Sequence, residues 1–268
     1  MKMRTSRVLQ KLRSGGFASC IKINISNAQV AEIAALCGFD CVWVDQEHCT
    51  PDWDVLNSQV WATKAYNTDL MVRVPRGSYS DLAKPLEMDA TGIMVPHIMS
   101  LNDAKKVVQD TRFHPIGRRP IDGGNADGAY TNMDFQEYLA TANKERFVVL
   151  QIEDPEPLEE LEAIAALEGY DMLFFGPGDF SQGIGAPGDF SHPKLLETRE
   201  RVAALARKYG KFAGTTGGID HLDSFKQMGY QFVSVGADVV GLSAYFKTLV
   251  SRIHSSATEE QKGNEAYK

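Results

Sequence analysis

Leu36-Cys37-Gly38-Phe39-Asp40-Cys41-Val42-Trp43-Val44 (residues 36–44) closes a helical apolar face on a glycine, follows it with a large residue and then enters a short apolar run. The same junction recurs at Leu167-Glu168-Gly169-Tyr170-Asp171-Met172-Leu173-Phe174-Phe175 and at Met228-Gly229-Tyr230-Gln231-Phe232-Val233-Ser234-Val235. Shorter versions stand at Thr91-Gly92-Ile93-Met94-Val95 and Tyr209-Gly210-Lys211-Phe212-Ala213. Glycine accepts the left-handed conformation that ends a helix. A continuous rather than alternating apolar run suits a parallel strand covered on both faces. Repeated helix–glycine–strand units therefore predict βα repeats around a parallel sheet.

Working outward from these junctions, strands are expected near 18–23, 41–45, 70–74, 91–95, 147–152, 171–176, 211–215 and 231–236. Eight is the number that closes a barrel, so the expected fold class is α/β, a (β/α)8 barrel of the TIM type. Ser26 is read as a helix cap, Pro157 as a helix start, and Val239 to Ile253 as a last helix that packs on its own barrel or on a neighbouring subunit. The stretch from Arg112 to Tyr130, with Gly123-Gly124-Asn125-Ala126-Asp127-Gly128, is the longest irregular segment and is read as a candidate lid. Residues 1–254 are expected to form one barrel domain, and the polar tail 255–268 is expected to be disordered.

Composition narrows the class of function. The chain has 268 residues, 43% hydrophobic content and a net charge of -7. No basic stripe is present, which argues against nucleic-acid binding. No apolar run approaches the ~20 residues of a membrane span, and no secretory signal is visible. The four cysteines (Cys20, Cys37, Cys41, Cys49) fit no zinc or redox spacing and are read as free thiols of a cytoplasmic protein.

In such barrels the chemistry lies where strands run out at their C-terminal ends. That rule collects Asp45-Gln46-Glu47-His48, Arg73, Gln151-Ile152-Glu153-Asp154, Gly176-Pro177-Gly178-Asp179 and Thr215-Thr216-Gly217-Gly218. Glu153 and Asp179 offer oxygen ligands of the kind that suit Mg2+ or Mn2+. The turn at Gly176-Pro177-Gly178-Asp179 presents backbone N–H groups to an anion. His48 is a candidate general base, and Arg73 a candidate stabiliser of a developing oxyanion. Each of these residues also has a plainer reading, as a rim salt bridge, helix cap or packing group. His97 follows strand four and lies near the same rim.

Taken in order, the motifs Gly-Phe-Asp before strand two, Asp-Gln-Glu-His after it, Val-Arg-Val, Val-Pro-His, Leu-Gln-Ile-Glu and Phe-Gly-Pro-Gly-Asp-Phe-Ser resemble the HpcH/HpaI aldolase/citrate lyase family of class II pyruvate aldolases. The resemblance spans about Val8 to Phe246. It implies an aldehyde-lyase that joins or splits a pyruvate (2-oxo acid) enolate and an aldehyde, acting on 4-hydroxy-2-oxo acids with a divalent metal, Mg2+ or Mn2+, with Co2+ as a further candidate. It makes His48 the base, Arg73 the enolate stabiliser, and Glu153 with Asp179 the metal ligands. Gln151 and the backbone of Gly178 and Asp179 would contact the 2-oxo acid. The acid that supports the histidine falls on Glu87, where the family usually has Asp, and Asp45 is the substitute. The resemblance also implies a homo-oligomer, a hexamer that exchanges its last helix. Three departures are visible: Glu87 itself, Gly117-Arg118-Arg119-Pro120 where Gly-x-Arg-Gly is usual, and Lys22 inside strand one. The last keeps a Schiff-base aldolase open as a rival. A CoA-thioester or phosphoenolpyruvate lyase and a non-catalytic binding protein are the others.

Overall fold

The computed structural model describes residues 2–265 and forms a closed parallel barrel in which each strand pairs with its sequence neighbours and the last returns to the first. The strands are β1 (Ala18–Ile23), β2 (Cys41–Asp45), β3 (Asp69–Arg73), β4 (Gly92–Val95), β5 (Phe147–Ile152), β6 (Met172–Phe175), β7 (Phe212–Gly217) and β8 (Phe232–Ala237). Every expected strand is present within a residue or two of its expected bounds. Four of the five junction glycines adopt positive φ: Gly38 (95°), Gly169 (99°), Gly210 (67°) and Gly229 (103°). The fifth, Gly92, has a different reason: a Cβ there would stand 2.1 Å from the Phe147 ring on the neighbouring strand.

Alternation along each strand divides two cores. Val42, Val44, Leu70, Val72, Leu150 and Leu173 face the surrounding helices. Cys20, Cys41, Trp43, Met71, Val149, Met172, Phe174 and Phe232 fill the barrel interior. Because side chains repeat with period two, the interior face continues upward from Trp43 to Asp45, from Met71 to Arg73, and from Val149 to Gln151 and Glu153. The barrel axis thus passes from an apolar filling to a polar mouth.

A short helix, Arg7–Arg13, stoppers the opposite end. Its Val8, Leu9 and Leu12 join the interior core. Ser6 caps it, and Asp69 at the start of β3 accepts bonds from Ser6 Oγ (2.6 Å) and the Val8 N–H (2.9 Å) while pairing with Arg4 at 2.9 Å. Asp40 of the Gly-Phe-Asp motif belongs to the same construction. It pairs with Arg7 (2.8 Å) and Lys11 (2.8 Å) and accepts the Ser19 N–H (3.0 Å).

Several details differ from the sequence reading. Asn27, not Ser26, caps the second helix, its Oδ1 accepting the Gln29 N–H at 2.7 Å. The helix expected to open at Pro157 is split into a 3-10 turn, Glu156–Glu159, and a helix, Leu161–Ala166. The 112–130 stretch follows helix Leu101–Thr111 rather than a strand, so it starts at the stoppered end of the barrel. There Arg112 donates to the carbonyls of Gly169 and Arg146 and pairs with Asp171, at the starts of β5 and β6. It therefore does not cover the mouth of its own barrel. The last helix spans Asp238–Glu265 and takes in most of the 255–268 segment expected to be disordered, since Ala, Glu, Gln and Lys there are strong helix formers. Residues 266–268 of that segment lie outside the described residues. No described helix is long and apolar enough to cross a membrane.

Candidate active site

The floor of the mouth is an ion cluster on adjacent strands. Arg73, the last residue of β3, grips Asp45 of β2 with two nitrogens of its fork: Nε to Oδ1 at 3.0 Å and Nη2 to Oδ2 at 2.6 Å. Lys22 of β1 shares that second oxygen at 2.7 Å. The indole of Trp43 lies beside both cations, 4.9 Å from the guanidinium carbon and 5.4 Å from Nζ. Burial on its own would raise Asp45, but the guanidinium and the ammonium outweigh it and hold the carboxyl at about 2. Two cations on one carboxylate leave the cluster with a net positive charge.

The third guanidinium nitrogen, Nη1, lies 3.1 Å from Glu47 Oε2, an ion pair without hydrogen-bond geometry. Glu47 then links both histidines of the rim: Oε2 is 3.5 Å from His48 Nε2, and Oε1 is 3.3 Å from His97 Nε2. His97 follows β4 with a left-handed φ of 49°. Its N–H donates to Glu153 Oε1 at 3.0 Å, and its Nδ1 lies 2.8 Å from Asp154 Oδ2. Glu153 is only 1% exposed, and its other oxygen accepts a hydrogen bond from Gln151 Nε2. Burial pushes the Glu153 carboxyl up to about 7, despite the His97 N–H, the imidazole and Arg73. Gly176 at the end of β6 is what admits this pair, because a Cβ there would meet Glu153 Oε2 at 2.7 Å and Gln151 Nε2 at 2.8 Å.

The site residues expected from sequence divide in two. Asp45, His48, Arg73, Gln151 and Glu153 gather at the mouth. Gly178 and Asp179 sit in the first turn of helix Pro177–Gly183, which begins directly after β6. Asp179 stands outside the group of three whose donor atoms converge within 4.8 Å of one another among the described residues, namely Glu47, His97 and Glu153. Glu87 does not reach His48 within the chain. It ends helix Tyr79–Glu87, which starts at the rim after β3 and carries its last residue ~13 Å away from it. Burial raises its carboxyl, and its charged neighbours are Arg119, Asp127, Asp122 and Lys84. Asp45, the substitute, accepts the backbone N–H groups of Glu47 (3.1 Å) and His48 (3.4 Å) and so shapes the turn. The carboxylate at the His48 ring is that of Glu47, which the sequence reading did not single out.

The Asp45 cluster carries a pH prediction. An unfolded aspartate titrates near 3.9, and this one near 2, so its contribution to stability is complete above pH ~4 and is lost as pH falls toward 2. Between pH 6 and pH 2.5 the wild type is expected to lose about 2 kcal/mol more unfolding free energy than Asp45→Asn. Parallel urea titrations check this, and equal losses in the two proteins would refute it.

The fit of a divalent ion rests on the chain's own atoms. Two carboxylates and an imidazole converge, Gly176 leaves room beside Glu153, and the buried Gln151 Oε1 has no hydrogen-bond partner. Such a donor set suits a divalent cation.

Comparison with known proteins agrees with this architecture. The model of the HpcH/HpaI aldolase/citrate lyase family matches residues 20–244. A hydroxypyruvate/pyruvate aldolase of Pseudomonas aeruginosa is 30% identical over 268 residues, 100% of each chain. A 2-keto-3-deoxy-L-rhamnonate aldolase of Klebsiella pneumoniae is 30% identical over 242 residues, 90% of each. The crystal structure of an HpcH/HpaI aldolase from Desulfitobacterium hafniense superimposes with a TM-score of 0.86 at 27% identity, covering 91% of this chain and 95% of that one. The match runs the length of the barrel and includes every strand end that builds the mouth. The chain belongs to the HpcH/HpaI aldolase/citrate lyase family.

Proposed function

We propose that this protein is a metal-dependent aldolase that forms or cleaves the carbon–carbon bond between a pyruvate-type 2-oxo acid and an aldehyde. The observation that carries the reading is the meeting of Glu153 with Arg73, Glu47 and His48 at one mouth, in a chain whose full-length relatives are named as aldolases of pyruvate and of keto-deoxy sugar acids. Glu153 and Asp179 are the proposed metal ligands. The ion, Mg2+, Mn2+ or Co2+, supplies Lewis-acid polarisation of the keto group when bound.

The remaining work falls to the chain. Arg73 is held by Asp45 with its Nη1 toward the mouth, where it stabilises the negative charge that develops on the keto oxygen as the enolate forms. His48 is half-exposed beside Glu47 and takes a proton from the methyl carbon, or from the 4-hydroxyl in the cleavage direction. Gln151 and the N–H groups at Gly178 and Asp179, in a helical first turn, orient the carboxylate. The aldehyde enters from the open side of the mouth.

Lys22 bears on the Schiff-base rival. A lysine that attacks a carbonyl needs a free lone pair, and here Nζ is engaged 2.7 Å from a buried carboxylate. That favours the metal route. For the assembly, the exposed side of the last helix supports subunit exchange in a homo-oligomer such as a hexamer: Val240, Tyr245, Phe246 and Ile253 all lie open to solvent in the single chain. The four cysteines are unpaired, in keeping with a reducing cytoplasm.

Exchange of pyruvate methyl protons with deuterated water, followed by NMR, tests the proposal without knowledge of the aldehyde. Exchange is expected, is expected to stop with EDTA, and is expected to return with Mn2+. Exchange that persists after thorough metal removal would overturn the metal route. Absence of exchange under both conditions would overturn pyruvate as the nucleophile.

A further inference from the structure

Asp45 needs one cation and has two. Both of its oxygens accept hydrogen bonds from the Arg73 fork, at 3.0 Å and 2.6 Å. Lys22 Nζ adds a second positive charge 2.7 Å from Oδ2. The Lys22 side chain is 21% exposed, so it has lost most of its water and still opens on the mouth. Giving up hydration for a carboxylate that is already matched is costly. An ammonium has three N–H donors, and one oxygen shared with Arg73 takes at most one of them. Asp45 and the Trp43 indole, 5.4 Å from Nζ, hold the ammonium in place.

The place of β1 in the ring of strands says what the remaining donors face. β1 stands opposite β5 in the closed order. Arg73, Gln151, Glu153 and the turn at Gly178 and Asp179 belong to β3, β5 and the end of β6, the half that takes the 2-oxo acid in the proposed reaction. His48, which removes the methyl proton, follows β2 between the two halves. The new bond forms at that methyl carbon, so the aldehyde extends from there toward β1, β8 and β7. The interior face of those strands continues from Cys20, Phe232 and Phe212 to Lys22, Ser234 and Thr216. Ser234 and Thr216 are neutral hydroxyls, and the buried Ser234 Oγ has no hydrogen-bond partner among the described residues. Asp238, the carboxylate that follows β8, accepts the backbone N–H groups of Asn24 (2.9 Å), Ile25 (2.9 Å) and Val239 (2.8 Å). Among the described residues, Lys22 forms an ion pair with Asp45 alone. A substituent of the aldehyde that reaches this half therefore meets one unmatched charge, and it is positive.

We propose that Lys22 determines the acceptor by binding a carboxylate that the aldehyde carries, so that the substrates of cleavage are 4-hydroxy-2-oxo dicarboxylates. The inference rests on the proposed aldol reaction and adds the class of the acceptor. In the step itself the enolate carbon bonds to the aldehyde carbon, and the aldehyde oxygen takes a proton to become the 4-hydroxyl. No atom is lost, and both carboxylates are kept, one at the Gln151 side of the mouth and one at Lys22. The two anionic ends then have separate partners, and this complementarity fixes which way round the molecule lies beneath His48.

Condensation with pyruvate tests this, using glyoxylate and 4-oxobutanoate, each against its neutral methyl ester. The wild type is expected to favour 4-oxobutanoate over its ester at least ~10-fold in kcat/KM, the size of one hydrogen bond to a charged group. Lys22→Met keeps an unbranched stem beside Trp43 and leaves Asp45 in the Arg73 fork, so the variant is expected to fold. Its acid-to-ester ratio is expected to fall about 10- to 100-fold for both pairs. An unchanged ratio, whatever the absolute rates, would make Lys22 a structural partner of Asp45 and overturn the proposal. A wild type without preference for 4-oxobutanoate overturns it with no variant at all. Methyl-proton exchange in the wild type without condensation to either acid removes the Lys22 assignment alone. Absence of both exchange and condensation removes it together with the proposed function.

Discussion

Glu153→Gln is expected to reduce methyl-proton exchange and aldol turnover at least ~10³-fold, the loss of several kcal/mol of Lewis-acid stabilisation, and to abolish divalent-metal binding. The substitution is nearly isosteric, so it removes charge without opening a cavity. The neutral amide can still accept the His97 N–H that Glu153 Oε1 accepts now, and its NH2, standing where Oε2 accepts from Gln151 Nε2, is matched once the Gln151 amide turns over to present Oε1. Stability should therefore move the other way from activity. Burial raises the wild-type carboxyl to about 7, a sign that the charged form is disfavoured in the metal-free protein. In EDTA at pH 8, the melting temperature of Glu153→Gln should equal or exceed that of the wild type. A variant that melts lower and still turns over would show that Glu153 is a structural salt-bridge residue of the rim.

Arg73→Lys is expected to cost about 10²–10³ in kcat, the typical loss of one preorganised donor to a developing oxyanion, while metal affinity stays near that of the wild type. The positive charge is kept; the fork is not. Arg73 donates from two nitrogens to Asp45 and brings the third to 3.1 Å from Glu47, and one ammonium cannot reproduce that planar fork. The expected structural cost is modest for a buried pair, because Lys22 already holds Asp45 from the other side and leaves no lone buried carboxylate. Steady-state kinetics with saturating Mn2+, beside a thermal melt, separate the two effects. A drop confined to KM would place Arg73 in ground-state binding instead.

The barrel was legible because its strands are covered on both faces. Cys41 to Val44 and Phe147 to Leu150 are unbroken apolar runs, too short for a helix and without the alternation of a half-exposed strand. The site was legible where it continues a strand's alternation: Asp45, Arg73, Gln151 and Glu153 follow from period two. It was not legible beyond the last ladder residue. Glu47 and His97 reach each other from turns after β2 and β4, and the deciding quantity is the left-handed φ of His97, which no residue type announces. Glu87 marks the opposite limit, since a position in a motif does not say at which end of its helix a carboxylate will stand. The Arg7–Arg13 helix left a signal, Ser6 followed by Val8, Leu9 and Leu12, but Arg7, Lys11 and Arg13 interrupt its apolar pattern.

That helix has a consequence for biosynthesis. The stopper is made before any strand, yet its seat includes side chains from both ends of the chain's course, from Cys20 on β1 to Phe232 on β8. A nascent chain that has emerged only as far as β7 offers Val8, Leu9 and Leu12 an incomplete socket. Those side chains must stay exposed, or shelter elsewhere, until the last strand is delivered and the ring can close. The stopper helix, translated ahead of every barrel strand, is thus among the last elements to reach its place, and this barrel cannot be finished in the order in which it is written.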